Sequence, residues 1–202
     1  MESLKRTWPL ALVALSIVAE FLYRDALTEK TFIDVPPMQS NPRPKTLLVF
    51  VSQNTSDYLF PLFLTFSFGF LGKMQAFHCW LSGAIILYIM SLLKMLYSEP
   101  RPFWVNPDIV PFSCKVTFGT PSGHCFLALV CLGLPYMAYY YEVGRKHQIK
   151  SLLCTAHIVK LFLTCGILIF FVLIAYSRLY LGAHTYAQVL FGFTLGSSLV
   201  LV

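Results

Sequence analysis

The sequence predicts an all-α fold, a polytopic membrane helical bundle of about six transmembrane helices. Of its 202 residues, 57% are hydrophobic and only 12% are charged, which is too apolar for an ordinary soluble domain. The apolar residues are gathered into long runs that are separated by short polar loops, as expected for helices that cross a bilayer. No internal repeat or second domain interrupts this pattern.

Residues 1–57 are predicted to form an N-terminal region ahead of the main bundle. Its first span runs from about Trp8 to Tyr23, although the same stretch could be a signal peptide cut after Ala19. The segment Asp25–Lys45 is polar and contains prolines, so we expect a loop there. Thr46–Val51 is apolar but too short to cross a bilayer, and it is expected to lie in the interface or cap the bundle.

Residues 58–202 are predicted to form a membrane core with five further spans. These spans run from about Tyr58 to Leu71, from Ala76 to Leu96, from the Pro121–His124 turn to Tyr141, from near Lys160 to Tyr176, and from Thr185 to Val202. The sequence stops without a polar flank after the last span, so the C-terminus is expected to be truncated.

The net charge of +6 is distributed over short loops and over the motifs described below, with no basic run that would indicate nucleic acid as a partner. The charge therefore indicates membrane topology and an anionic substrate. Glu20 precedes Arg24 by four residues and predicts an ion pair at the interface. The cysteines have neither the spacing of a zinc site nor that of a disulfide framework.

Three polar stretches stand out against the apolar background. The first reads Lys-Met-Leu-Tyr-Ser-Glu-Pro-Arg-Pro from Lys94, the second is Pro-Ser-Gly-His from Pro121, and the third reads Ser-Arg-Leu-Tyr-Leu-Gly-Ala-His from Ser177. Counting membrane crossings places all of them on the same face of the bilayer. We therefore expect them to form one composite site.

The residue types in this set point to phosphoryl chemistry. Cleavage of a phosphate ester needs neutralised phosphoryl oxygens, an in-line nucleophile and an acid for the departing alkoxide. The set contains cations for the first task, backbone N–H groups at a helix start, and histidines for the remaining tasks. The corresponding residues are Lys94, Arg101 and Arg178, then Ser122 and Gly123, then His124 and His184. No metal ligand set accompanies them.

The order and spacing of the three motifs resemble the signature of the type 2 phosphatidic acid phosphatase and vanadium haloperoxidase superfamily. The resemblance implies a helical bundle that hydrolyses phosphate esters without metal or other cofactor. It also implies that His184 attacks phosphorus to form a phosphohistidine and that His124 protonates the leaving group. The phosphoryl oxygens would be held by Lys94, Arg101, Ser122, Gly123 and Arg178.

Gln188 departs from the commoner pattern, in which an aspartate four residues after the second histidine orients its imidazole. The glucose-6-phosphatase and dolichyl diphosphate phosphatase branches resemble this chain in having His-x3-Gln. One helical turn separates Gln188 from His184, so its carbonyl oxygen is predicted to accept a hydrogen bond from the imidazole. Alternatively, a main-chain carbonyl orients His184.

The sequence thus predicts an integral-membrane phosphoric ester or diphosphate hydrolase that acts on an amphiphilic substrate, either a lipid phosphate or an isoprenoid diphosphate. A sugar-phosphate phosphatase, a catalytically silent binder or transporter of lipid phosphates, and a vanadate-dependent haloperoxidase are the alternatives. Basic loop residues favour a cytosolic N-terminus. The site is then expected to face the lumen of the endoplasmic reticulum or another endomembrane, or the exterior of the plasma membrane.

Overall fold

The computed structural model describes residues 2–114, 116–146 and 153–201. Within these ranges the chain forms helices and no strands, so the all-α prediction is confirmed. The helices are α1 Glu2–Gln39, α2 Lys45–Asp57, α3 Leu59–Phe70, α4 Lys73–Tyr97, α5 Pro102–Val105, α6 Gly123–Lys146, α7 Leu153–Tyr180 and α8 Tyr186–Leu201.

The first helix is longer than predicted. The expected loop over Asp25–Lys45 is wrong as far as Gln39, because α1 continues without a break to that residue. Thr31, Val35 and Gln39 recur every four residues and are buried, so the polar segment is amphipathic and packs one face inward. Thr31 Oγ1 accepts the N–H of Tyr186 at 2.9 Å, which ties this face to the start of α8.

The apolar segment Thr46–Val51, expected to lie in the interface or to cap the bundle, belongs to α2, which packs against α7. Leu48, Ser52 and Thr55 form its buried face at helical spacing. A break at Tyr58 then separates α2 from α3, whose bounds match the second predicted span closely.

Two helical segments are long and apolar enough to cross a membrane by length and composition, at 73–105 and 158–180, among the residues that the structure describes. They correspond to the third and fifth predicted spans. Three shorter apolar helical segments, at 59–70, 123–138 and 186–201, correspond to the second, fourth and sixth. The loop expected between the fourth and fifth spans is shorter than predicted, because α6 continues to Lys146 and α7 begins at Leu153, while residues 147–152 lie outside the described residues.

The core that positions the site lies between α6 and α8. Gly192 and Gly196 are four residues apart on α8, the spacing that lets two helices approach closely. A Cβ on Gly196 would lie 3.1 Å from Leu129 of α6, and one on Gly192 would lie 2.9 Å from the carbonyl oxygen of Ser122. Glycine at position 192 therefore allows α8 to run directly against the turn that begins α6.

Candidate active site

The three polar stretches meet around one cavity of about 220 Å³. Six of the eight predicted site residues line it, contributed by α4, the segment before α5, the start of α6, the end of α7 and the loop before α8. The full lining consists of Leu87, Met90, Lys94, Arg101, Thr117, Gly123, His124, Leu127, Arg178 and His184. Ser122 and Gln188 are buried and are not among the residues that line the cavity.

Arg101 is held rigidly although it comes from a short connecting segment. Its Nε donates to the carbonyl oxygen of Thr117 at 2.7 Å and Nη2 donates to Thr117 Oγ1 at 3.0 Å. Nη1 donates to the carbonyl oxygen of Ala183 at 2.8 Å and lies 3.4 Å from His184 Nε2. Because the side chain is fixed from both sides, its charge is preorganised beside the imidazole.

Lys94 lies near the C-terminal end of α4, and its Nζ donates to the carbonyl oxygen of Phe118 at 3.0 Å. The ammonium group has three donors, so this bond leaves donors for an anion in the cavity. Phe118 follows Thr117, and the loop that holds Arg101 therefore also holds Lys94. These contacts bring the two cations of the first motif to the same side of the cavity.

Arg178, in the last turn of α7, is fully buried. Its Nη1 donates to the hydroxyl of Ser52 on α2. Its Nε and Nη2 have no hydrogen-bond partner among the described residues, although both atoms are buried. Because an unpaired buried donor is costly, this side chain is suited to receive two oxygens of a planar or tetrahedral anion.

His184 follows the Leu179–Ala183 turn, in which Gly182 has a φ of +66°. Its Nδ1 lies 3.2 Å from Gln188 Oε1, which also accepts the N–H of Thr185 at 3.3 Å. Gln188 Nε2 donates to the carbonyl oxygen of Pro100 at 3.0 Å. This donor fixes which end of the amide faces the histidine, so that Nδ1 carries the proton and the lone pair of Nε2 faces Arg101 and the cavity.

Burial lowers the pKa of His184 well below its ordinary value, and the charges of Arg178, Arg101, Lys94 and His124 lower it further. Both causes disfavour the imidazolium form. The imidazole is therefore neutral at physiological pH, which is the protonation state that a nucleophile requires.

The turn at Ser122 differs from the prediction for its backbone. Ser122 N–H donates to the carbonyl oxygen of Gln188 at 3.1 Å, and its hydroxyl donates to Cys125 Sγ at 3.4 Å. Both donors are thus engaged within the protein, and the side chain is fully buried. Gly123 lines the cavity at the first residue of α6, where the N–H groups of a helix are open to an anion.

Sequence reasoning missed Ser52 and Thr117, which hold the two arginines. Ser52 lies in a region that carries no motif, and only the i, i+4 spacing of Leu48 and Ser52 on α2 indicates that it faces inward. Thr117 lies in the loop between the first two motifs, where no periodicity applies. Neither role can be read from spacing, because each depends on how distant segments pack.

The chain is also similar to known proteins. A family model described as the PAP2 superfamily matches residues 75–202. Phosphatidylglycerophosphatase B of Bacillus subtilis (strain 168) is 28% identical over 144 residues, a match that covers 70% of this chain. The same match spans 64% of that relative, slightly less than two thirds of its length.

A solved structure is also similar, the crystal structure of the first transmembrane PAP2 type phosphatidylglycerolphosphate phosphatase from Bacillus subtilis. It matches with a TM-score of 0.67 at 20% identity, over 96% of this chain and 93% of that one. At this identity the likeness shows the fold. The predicted polytopic membrane bundle is therefore confirmed, and the match of the family model to residues 75–202 confirms the predicted family.

Proposed function

The chain belongs to the PAP2 superfamily, and from that premise we propose that it is an integral-membrane phosphatase that hydrolyses a lipid phosphate, without metal, through a phosphohistidine intermediate. The observation that carries the proposal is the pair of buried donors on Arg178 that have no partner among the described residues, in a cavity that Lys94, Arg101 and a neutral His184 also line. A tetrahedral phosphoryl group supplies the oxygens that these donors lack.

The apolar part of the cavity supports an amphiphilic substrate. Leu87 and Met90 of α4 and Leu127 of α6 also line the cavity. A sugar leaving group would bring several hydroxyls against these side chains, whereas an acyl or isoprenyl chain would bury apolar surface there. The name of the Bacillus relative agrees with a lipid phosphate. An isoprenoid diphosphate remains the second candidate, because the same apolar wall would accommodate it.

The proposed reaction has two steps. His184 Nε2 attacks phosphorus, the bond from phosphorus to the leaving oxygen breaks, and His124 gives its proton to that oxygen. Water then attacks phosphorus, His124 takes a proton from the water, and the P–N bond breaks to release phosphate and neutral His184. Lys94, Arg101, Gly123 and Arg178 stabilise the charge on the phosphoryl oxygens in both steps, whereas Ser122 holds the turn from behind.

The test is phosphate release by the purified protein from phosphatidic acid, phosphatidylglycerophosphate, an isoprenyl diphosphate and glucose 6-phosphate, each in the same detergent. We expect release from the lipid substrates, and His184→Ala should abolish it. Lys73→Gln is the matched control, because Lys73 is exposed at the opposite end of α4 from Lys94. Preference for glucose 6-phosphate would favour the sugar-phosphate alternative, and binding without release would favour a silent binder.

The intermediate can be trapped directly. The leaving group of a diphosphate needs little protonation, so His184 should still attack this substrate when the acid His124 is removed. With a 32P-labelled diphosphate, His124→Ala should therefore accumulate an acid-labile, alkali-stable phosphoprotein. No label should appear in His124→Ala/His184→Ala. Label that persists in the double variant would exclude His184 as the nucleophile.

The residues around the cavity also support the proposal that the reaction needs no metal. Among the described residues, no group of three or more His, Cys, Asp or Glu side chains is placed to ligate a metal. The positive charge is supplied by arginine and lysine instead. We expect full activity in EDTA and inhibition by vanadate, whereas loss of activity on chelation that magnesium restores would contradict this part of the proposal.

We further propose that the cavity opens to the lumen or exterior, as the distribution of basic loop residues predicts. Cys114 is exposed in the loop that leads to the second motif and reports the side of that loop. A membrane-impermeant maleimide should label it only in vesicles whose lumenal face is outward, with Cys114→Ala as the control. Labelling in vesicles of cytosolic-side-out orientation would reverse the assignment.

A further inference from the structure

An ion-paired contact joins α1 to the segment that precedes Arg101. Arg24 of α1 donates through Nε and Nη2 to the two carboxylate oxygens of Glu20, each at 2.6 Å. The same Nε lies 2.8 Å from Oε1 of Glu99. The predicted Glu20–Arg24 pair is therefore confirmed, but the guanidinium also contacts a carboxylate that is 75 residues away in the sequence.

Glu99 in turn holds the residues just before the second motif. Its Oε2 accepts a hydrogen bond from the hydroxyl of Thr120, and its backbone carbonyl oxygen accepts the N–H of Gly119 at 2.8 Å. Thr120 is fully buried. The Gly119–Ser122 turn is thus attached to Glu99 at two successive residues.

The other side of this turn lies against Gln188. A Cβ on Gly119 would come within 2.4 Å of Nε2 and 2.5 Å of Oε1 of Gln188, and Ser122 N–H donates to the backbone of Gln188. The side chain of Gln188 is therefore confined by the turn. Since its Oε1 faces His184 Nδ1, the position of the turn determines the orientation of the imidazole.

We propose that Glu99, anchored by Arg24, is a positioning residue for His184. It fixes the Gly119–Ser122 turn, the turn confines Gln188, and Gln188 holds the imidazole with Nε2 toward the cavity. This inference rests on the proposed phosphatase function. Arg24 precedes the region that the family model matches, 75–202, so the contact makes α1 part of the structure that positions His184.

The test is a set of matched substitutions with kcat and KM measured separately. Thr120→Val preserves shape but removes the hydroxyl that Glu99 accepts, whereas Thr120→Ser keeps it. We expect Thr120→Val to lower kcat about 10-fold with KM changed less than about 2-fold, because a misoriented nucleophile affects the chemical step and not substrate binding. Thr120→Ser should retain at least about half of the kcat.

The participation of α1 is tested with Arg24→Gln, for which Lys73→Gln is again the charge-matched control. Arg24→Gln should lower kcat about 5-fold, and Arg24→Lys should recover part of the loss. Because the two contacts act in series, Arg24→Gln/Thr120→Val should be no slower than Thr120→Val alone. Should Thr120→Val fail to fold, Glu99→Gln replaces it in the same comparison.

Additive losses in the double variant, equal losses for Thr120→Val and Thr120→Ser, or an effect confined to KM would each overturn the inference. If the unaltered protein binds vanadate but hydrolyses nothing, the proposed function fails. The inference is then judged by vanadate affinity, which should weaken at least about 5-fold in Thr120→Val and not in Thr120→Ser because vanadate bonds to the nucleophile. A protein that neither hydrolyses nor binds vanadate would overturn both.

Discussion

Gln188→Glu is the sharpest test of how His184 is oriented, because glutamate has the same shape and keeps the acceptor that faces Nδ1. The carboxylate would lie about 3.2 Å from the imidazole. Two unit charges at that distance attract by about 1.3 kcal/mol in water and about 5 kcal/mol at an effective dielectric of 20. Even the smaller value corresponds to about one pKa unit, so the variant should raise the pKa of His184.

The sign of the kinetic effect follows from the protonation state. In the unaltered protein, burial and neighbouring cations lower the pKa of His184, so the imidazole stays unprotonated at pH values where an ordinary histidine is protonated. In Gln188→Glu the imidazole is protonated at higher pH, and protonation removes the nucleophile. The acid limb of kcat/KM should therefore move upward by about one pH unit or more.

The substitution also removes the donor to Pro100, and a carboxylate oxygen would then face that carbonyl at about 3.0 Å. Loss of this hydrogen bond should lower the free energy of unfolding by about 1–3 kcal/mol. The assay is a pH–rate profile with one lipid substrate, so that ionisation of the substrate is common to all proteins. Gln75→Glu, which adds the same charge at the start of α4, is the control. If the acid limb of the Gln188→Glu profile coincides with that of the unaltered protein, the contact with His184 is refuted.

Arg178→Lys keeps the charge but removes the planar fork, so kcat/KM should fall by about 10²–10³-fold while Ser52→Ala costs less, as measured by phosphate release. Gly119→Ala should lower kcat about 10-fold or more without weakening substrate binding, because its Cβ would displace the Gln188 amide. Gly182→Ala should lower the free energy of unfolding by at least about 1–2 kcal/mol, because its φ is +66° and its Cβ would lie 2.7 Å from Ile109; Gly166→Ala, with nothing within 4 Å, is the control for thermal unfolding in detergent.

The proposed site depends on surroundings that the three motifs do not contain. Ser52 on α2 orients Arg178, and the loop carbonyls of Thr117 and Phe118 hold Arg101 and Lys94. These contacts come from segments that carry no recognisable motif. A second group of contacts around fixed cations is typical of sites whose electrostatic field is preorganised before the substrate arrives.

The class of fold and the residues that meet at the cavity can be predicted from the sequence alone. Apolar runs of membrane length are sufficient to predict helices, because an unpaired backbone cannot be left in lipid. The motif spacing identified Lys94, Arg101, Gly123, His124, Arg178 and His184, all of which line the cavity. Gln188 was also placed correctly beside His184, because four residues on a helix make one turn.

The contacts that these residues make depend on tertiary packing and could not be predicted from the sequence. The charges and prolines of Asp25–Lys45 predict a loop, whereas the structure continues α1 to Gln39, with Thr31, Val35 and Gln39 packed inward. Ser122 was expected to bind phosphate, but its N–H is bonded to Gln188. The link from Arg24 to Glu99 joins residues far apart in the chain, and their meeting depends on how α1 packs along α8, which local spacing does not encode.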